Sequence, residues 1–334
     1  MQLSRSKIRQ KYWKRQLAHR GRGALGAAFV QLVLTVAPLA LPPSLSELVG
    51  PSRLAAQDGV SQTPAKANRG ESAQSLALGS GMRAGQSGTA AALQNSANMA
   101  VRPAYLIESI NYYDSSADQW SFGGVVMDSV TARLSAGVSF RGVTGPRDES
   151  VRGIDAQLAL AYAFIEQFAL GVTGRYVLLE DRSDAEGGLA LEEAKGFTFD
   201  ASMRISPLPG LNLVALAYNV LDRSSSLTPR TFGGSVAYSL GGVLTLGGDF
   251  LADIDSFSRT QYITGGGLEW MFGGFLPLRA GYRADTGRRA HAITAGIGYV
   301  GEMFSIETAL RQDVVNSTSA RDTMFLLSAA YRVR

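Results

Sequence analysis

The sequence predicts an all-β fold: a transmembrane, antiparallel, up-and-down β-barrel of about fourteen strands, with an N-terminal plug segment in its lumen. Three observations support this prediction. Long runs alternate apolar with small or polar residues, the connections between runs alternate between short and long, and only 18% of the residues are charged. A low charge density suits a surface that faces lipid.

The clearest alternation lies in residues 153–176, where two runs flank the pair Glu166-Gln167. A period of two places every second side chain on one face of a strand, so the stretch predicts a β-hairpin. Its runs approach the 9–11 residues that a tilted membrane strand needs, whereas soluble strands average about 5–6. One face carries no charge and consists of Ile154, Ala156, Leu158, Leu160, Tyr162 and Phe164, followed by Phe168, Leu170, Val172, Gly174 and Tyr176.

Fourteen such runs follow one another between residues 104 and 333, an even number, as a barrel with both termini on one side requires. The connections support the same conclusion, because membrane barrels have short periplasmic turns and longer outer loops. The short connections are Ser129–Ala132, Glu166-Gln167, Pro207–Gly210, Gly241-Gly242, Phe272–Phe275 and Gly301-Glu302. The long ones are Gly142–Arg152, Leu179–Lys195, Asp222–Pro229, Ala252–Gln261, Asp285–Ala290 and Asp313–Asp322.

Aromatic residues cluster at the ends of the runs, which predicts two girdles at the membrane–water interfaces. The set beside the short turns is Phe164, Phe168, Tyr238, Trp270, Phe272, Phe275, Tyr299 and Phe304. The set beside the long loops is Tyr112, Tyr113, Trp120, Tyr176, Phe197, Tyr218, Phe250, Tyr262 and Tyr282.

The N-terminus has the pattern of an export signal. Residues 1–22 are strongly basic, and residues 23–41 are apolar and uncharged. We interpret residues 1–56 as a signal peptide cleaved after Ala56, although Ala37 and Ala40 are alternative positions and a retained inner-membrane anchor is a second interpretation. Residues 57–102 are predicted to be a flexible lead-in and candidate lumen plug, and residues 103–334 the barrel.

The composition excludes several classes of function. Nine of the 32 basic residues and one of the 28 acidic residues precede Gln57, which leaves 23 basic against 27 acidic residues and argues against nucleic-acid binding. The chain has no cysteine, so it has no disulfide or thiolate metal site, and its only histidines are His19 and His291. We therefore predict no cofactor and no metal.

The N-terminal region resembles a known family. The runs Gly79–Gly85 and Gly88–Ala92, together with Asp128–Thr131 and Ala136-Gly137, are similar to those of FadL-type long-chain fatty acid transporters and the related PorV-type proteins. Residues 95–100, Asn-Ser-Ala-Asn-Met-Ala, stand where that family has an Asn-Pro-Ala motif. The resemblance implies an outer-membrane barrel of a Gram-negative type, with residues 76–100 inside the lumen.

If the apolar faces meet lipid, the opposite faces place five acids and five bases in the lumen. Neighbouring strands then offer opposite charges, such as Asp155 beside Arg175 and Glu269 beside Arg279 or Arg283. Since buried charges are normally paired, these residues either brace the barrel or form a solute-selecting constriction. The predicted lumen-lining residues are Asp155, Arg175, Asp200, Arg204, Asp249, Glu269, Arg279, Arg283, Glu307 and Arg311.

Three functions remain open at this stage. The first is a narrow, plugged channel for small hydrophobic or amphipathic molecules, surrounded by outer-membrane lipid. The second is a structural or docking barrel that holds a protein partner at its loops or lead-in, as PorV-like proteins serve secretion machinery. In the first case a gap in the barrel wall is expected, and in the second a sealed wall.

The third function is a membrane-embedded hydrolase, and it has little support. Its only candidate base outside the N-terminal signal is His291, and no serine and aspartate are evident as its partners in a catalytic triad. We therefore predict no catalytic residue and no enzyme. The acidic residues Asp181, Asp184, Glu186, Glu192 and Glu193 could bind Ca²⁺, but their irregular spacing is more typical of a solvated loop.

Overall fold

The computed structural model describes residues 70–115, 118–130, 134–145, 151–181, 192–221, 225, 227–315 and 322–333. The predicted signal peptide, residues 57–69 of the predicted lead-in and most of the acidic loop lie outside these residues. Four short helical elements come first: α1 (Ala73–Ala77), the 3₁₀ turn η1 (Arg83–Gly85), α2 (Thr89–Gln94) and the 3₁₀ turn η2 (Ser96–Ala100). No helix in these ranges is long and apolar enough to cross a membrane.

Fourteen strands follow and form one closed antiparallel barrel, in which each strand pairs with its neighbours in sequence and β1 pairs with β14. The predicted fold class and strand number are confirmed. The strands are β1 (Tyr105–Asp114), β2 (Gln119–Asp128), β3 (Leu134–Thr144), β4 (Val151–Ile165), β5 (Phe168–Asp181), β6 (Glu192–Leu208), β7 (Leu211–Tyr218), β8 (Thr231–Leu240), β9 (Leu244–Asp253), β10 (Gln261–Phe272), β11 (Leu276–Asp285), β12 (Ala290–Val300), β13 (Phe304–Val315) and β14 (Thr323–Val333).

The predicted hairpin forms between β4 and β5. Ala163 lies opposite Ala169, and the turn is Glu166-Gln167, with a bulge near Ile165. Leu158, on the predicted apolar face, is 50% exposed, whereas Asp155 on the other face is 1% exposed. The sequence period therefore determines which face of this wall is directed outward.

Glycine sets the geometry of the turn between β8 and β9. Gly241 and Gly242, one of the predicted short connections, both have positive φ, at 62° and 73°, as a type I′ turn requires. A two-glycine turn lets these strands pair as far as Leu240 and Leu244.

The outward surface of the barrel is apolar over its whole circumference, with exposed side chains such as Val138, Val172, Ile293 and Phe325. Most of the predicted aromatic residues are exposed at the strand ends. Tyr112 and Tyr218 are exceptions, because both are buried and directed inward. Each has a hydroxyl partner inside the barrel, so the prediction that these two belong to the outer girdle is wrong.

Candidate functional site: the lumen and the segment it encloses

Residues 70–101, which we name the inner segment, lie against the interior wall of the barrel. Leu76, Leu78, Met82 and Met99 are completely buried and pack against inward side chains of the strands. The contacts involve strands around the whole circumference, from β1 to β14. The interior of the barrel is thus occupied at the level of this segment.

Hydrogen bonds from side chains of the wall hold the backbone of the inner segment. The Gly79 N–H donates to Thr294 Oγ1 (2.9 Å), and the Thr294 hydroxyl donates to the Ala77 carbonyl (2.8 Å). On other strands, Ser235 Oγ accepts from the Ala84 N–H (2.8 Å) and Ser202 Oγ from the Ala97 N–H (3.0 Å). These bonds satisfy buried backbone groups that no regular helix or sheet pairs.

Glycines in the wall bring the two backbones into contact. A Cβ added at Gly281 would lie 2.5 Å from the Gly79 nitrogen, and one at Gly265 would lie 2.5 Å from the Gly79 oxygen. At Gly171 it would lie 2.3 Å from the Ala97 nitrogen. Gly265 and Gly267 of β10 are thus positions where the backbone of the wall closely approaches the inner segment.

One ion pair links the inner segment directly to the wall. The Arg83 guanidinium bonds to the carboxylate of Asp249 on β9, which also accepts from the Arg83 N–H at 2.9 Å and from the Ser235 hydroxyl. Burial acts to lower the pKa of Arg83, but Tyr218 and Asp249 outweigh it and raise that pKa above its usual range. Arg83 therefore keeps its charge inside the barrel.

A second cluster of charges lies on β3, β4 and β5. Asp155 accepts from Arg175 at 2.6 Å and from Arg141 at 3.3 Å. Arg175 also donates to Asn219 Oδ1 (2.7 Å), and the Asn219 N–H donates to Asp200 (2.8 Å). Two cations share one carboxylate, and Asn219 adds two charge-assisted hydrogen bonds, one from Arg175 and one to Asp200.

A third cluster joins β10, β11 and β13 near the short-turn end. Arg279 donates to Glu269 at 2.6 Å and also to Glu307. Gln74 of the inner segment reaches the same Glu269 (3.2 Å). Thr89 of the inner segment donates to Glu108 on β1. This cluster is the second place where the inner segment contacts wall carboxylates.

The remaining predicted lumen residues have other neighbours. Arg204 donates to Ser206 Oγ and Asn212 Oδ1, both at 2.8 Å. Arg283 lies nearest Asp285 (3.9 Å), and Arg311 lies 3.5 Å from Asp322. Of the two partners predicted for Glu269, Arg279 forms the ion pair and Arg283 lies near Asp285 instead.

Three residues that form these clusters, Arg83, Glu108 and Arg141, are not among the predicted lumen-lining residues. Arg141 lies on the inward face of β3, where the alternation Ser135, Gly137, Ser139 could have identified it. Glu108 was hidden because its face of β1 also carries apolar side chains that contact the inner segment. Arg83 carried no periodic signal, since it lies outside the strands.

A groove of about 620 Å³ extends over the outer surface of the wall from β3 to β7, near the short-turn end. Its lining includes the outward residues Leu160, Val172 and Met203, and also the inward residues Gly171 and Ser202. Ser202 is the residue that binds Ser96 Oγ (3.2 Å) and the Ala97 N–H from inside. Here the groove lies on the outer side of the wall and the inner segment lies on the inner side.

The candidate hydrolase base contacts a tyrosine and lies on the outward surface of the barrel. His291 Nδ1 shares a hydrogen bond with the Tyr282 hydroxyl. Within the described ranges, no group of three acidic or histidine side chains could hold a metal ion. Most of the acidic loop proposed for Ca²⁺ lies outside those ranges, so that alternative stays a prediction.

Similar folds are found among solved structures. The toluene transporter TbuX of Ralstonia pickettii matches with a TM-score of 0.55 and 13% identity over 80% of this chain and 98% of its own. A FadL homologue of Pseudomonas aeruginosa matches with a TM-score of 0.54 and 13% identity, over 78% and 98%. The toluene transporter TodX of Pseudomonas putida matches with a TM-score of 0.52 and 12% identity, over 79% and 98%.

No family model and no curated protein matches the chain. The fold nevertheless agrees with the resemblance seen in the sequence. A closed barrel with an apolar exterior has no unpaired strand edge, which is how an all-β chain crosses a membrane. The chain is therefore an outer-membrane β-barrel that shares the fold of the FadL homologue and of the toluene transporters.

Proposed function

We propose that this protein is a narrow outer-membrane channel for small hydrophobic or amphipathic molecules, and that it is not an enzyme. The observation that carries the proposal is the inner segment, which occupies the lumen and is held by discrete hydrogen bonds and one ion pair. Structures of similar fold are described as toluene transporters and a monoaromatic hydrocarbon channel. The solute class is assigned here by that analogy of fold.

The proposal assigns a role to each part of the chain. Residues 1–56 are the signal peptide, residues 57–102 the lead-in and plug, and residues 103–334 the barrel. The predicted lumen residues brace the wall, and two of them, Asp249 and Glu269, also hold the inner segment. Mass spectrometry of the mature protein tests the first assignment, because it predicts an N-terminus at Gln57.

The groove beside Gly171 supports an exit for apolar solutes towards lipid. Its outward side is lined by aliphatic side chains, and η2 of the inner segment lies directly behind its floor. In the proposed mechanism η2 moves away from Ser202, and the ladder between β5 and β6, in which Gly171 faces Ser202, opens to let a solute pass.

A disulfide lock tests this movement cleanly, because the chain has no cysteine of its own. The hydroxyl oxygens of Ser96 and Ser202 lie 3.2 Å apart. Proteoliposomes with the double variant S96C/S202C are expected to take up toluene slowly when oxidised and at the normal rate after reduction. The single variants S96C and S202C are the controls. Equal uptake by the oxidised and reduced double variant would contradict the proposal.

A specific observation favours the second candidate, a structural or docking barrel. Every neighbouring pair of strands is hydrogen-bonded in the part of the chain that the structure describes, as a sealed wall requires. A stoichiometric protein recovered with the barrel from detergent, combined with no toluene uptake, would favour docking over transport.

A further inference from the structure

Two exposed arginines lie on neighbouring loops at the long-loop end of the barrel. Arg259 is in residues 254–260, between β9 and β10, and Arg289 is in residues 286–289, between β11 and β12. Neither forms an ion pair or side-chain hydrogen bond among the described residues. Their neighbours in the same region are already neutralised, since Arg230 pairs with Asp255 (2.7 Å) and Arg288 with Asp285 (3.1 Å).

The two loops, which we name the arginine loops, contact each other. The Tyr262 N–H donates to Thr286 Oγ1 (2.9 Å), and the Thr286 N–H donates to the Tyr262 carbonyl (2.9 Å). The Arg288 guanidinium lies 5.8 Å from the centre of the Phe257 ring. A Cβ at Gly287 would lie 2.4 Å from that ring. Arg259 and Arg289 thus belong to two loops that pack against each other.

The wall below the arginine loops is suited to lipid. Phe250 and Tyr262 are exposed and stack with their ring centres 5.1 Å apart. Tyr282 is exposed beside His291, and Ile293 is exposed opposite Tyr282 in the ladder. Aromatic rings settle at the membrane–water interface, so the arginines above them lie at the level of the lipid headgroups.

We propose that the arginine loops bind the phosphate groups of an anionic glycolipid of the outer leaflet, whose acyl chains lie on the aromatic wall beneath. The guanidinium group matches phosphate in geometry and charge, and a free arginine gains more from such a ligand than one already paired with a carboxylate. Basic residues near a membrane surface attract anionic headgroups in the same way. This site is independent of the proposed transport.

The barrel provides a matched control at its other end. Arg102 and Arg332 are also exposed, but they lie beside the short turns, and Leu106 faces Arg332 in the ladder between β1 and β14. The variants R259Q/R289Q and R102Q/R332Q each remove two exposed charges, so they differ in position and not in net charge.

Binding is measured with the full mature chain in detergent micelles, titrated with bisphosphorylated lipid A or with the same lipid after removal of its phosphates. R259Q/R289Q is expected to weaken binding of the phosphorylated lipid about tenfold or more, because it removes both guanidinium groups that attract the phosphates. R102Q/R332Q is expected to bind as the wild type does. R259K/R289K, which keeps the charge, is expected to recover part of the affinity.

Three outcomes would overturn the inference. The first is equal weakening by the two glutamine variants, and the second is equal affinity of the wild type for the dephosphorylated lipid. The third is displacement of the lipid by millimolar inorganic phosphate, which would assign the site to a free anion. Heat-dependent mobility on a gel shows that each variant is folded before it is titrated.

Discussion

At the scale of single residues, Arg83 and Asp249 decide how firmly the inner segment is held. The two are buried, and the Asp249 carboxylate is bound by both the side chain and the backbone of Arg83. Removing one member of such a pair leaves an uncompensated buried charge, which costs about 3–5 kcal/mol, whereas removing both is often far less costly.

We therefore expect D249N to increase hydrogen–deuterium exchange at residues 79–85, and R83M/D249N to restore much of the protection. D255N is the matched control, because Asp255 belongs to the partly exposed pair with Arg230. Such pairs contribute about 0–1 kcal/mol, so exchange in the inner segment should not change. Unaltered exchange in D249N would show that this ion pair does not hold the segment.

Asp255 allows a prediction of pH dependence in an outer loop. The side-chain hydrogen bonds from Arg230 lower the pKa of Asp255 below its usual value, outweighing the opposite effect of burial. A carboxyl group with a lowered folded-state pKa stabilises the fold above its unfolded pKa, near 4, and this contribution is lost as the pH falls through the lower folded value.

Amide exchange at residues 254–260, corrected for intrinsic rates, should therefore be unchanged from pH 7 to about pH 4 and should increase only below that range. D255N should show the increased exchange already at pH 7. An increase in the wild type well above pH 5 would contradict the assignment of this loop's order to the Arg230–Asp255 pair.

At the scale of elements, the interior contact depends on glycines of β10 and β11. A methyl group at Gly281 would meet the Gly79 nitrogen and the Leu78 carbonyl carbon, which are backbone atoms and cannot rotate aside. G281A is expected to destabilise the inner segment by about 1–3 kcal/mol, as overpacking of a core does. The measurement is the protection of residues 77–82 against exchange.

Gly248 is the control for this substitution, because its side-chain position on β9 faces outward. An added Cβ there would come no closer than 3.3 Å to any atom outside its chain neighbours, the nearest being the Gly265 oxygen. G248A should therefore leave the inner segment protected. If G281A and G248A gave the same protection of residues 77–82, close backbone contact would not be what holds the inner segment in place.

At the scale of the whole molecule, closure between β1 and β14 determines whether a barrel exists at all. Leu327 lies opposite Asn111 of β1 and Thr308 of β13, with its side chain exposed outward. L327P removes one ladder donor from a strand that is paired on both sides, so it should prevent closure. L327A removes only outward apolar contact and should assemble.

The measurement is electrophoresis without boiling, in which a closed barrel migrates faster than the unfolded chain. Wild type and L327A are expected to show the fast form and L327P only the slow form. A fast form of L327P would mean that the ladder at Leu327 is not essential to closure.

The strands and turns of the barrel wall were predictable because the patterns that specify them involve residues close together in the sequence. A period of two assigned Leu158 outward and Asp155 inward, and two adjacent glycines identified the turn after Leu240. The girdle prediction, which rested on aromatic residues at strand ends, failed at Tyr112 and Tyr218. A tyrosine at a strand end suits a lipid interface and a buried hydrogen-bonding position equally well, and only its neighbours distinguish the two.

The sequence by itself determined the closed barrel, its fourteen strands and which face of each strand is directed outward, because alternation and turn chemistry act over a few residues. Only the tertiary structure decided which groups meet across the lumen. Arg83 and Asp249 are 166 positions apart, and Glu269 had two candidate cations on one strand. Such contacts depend on strand register and on the path of the inner segment, and neither leaves a local pattern in the sequence.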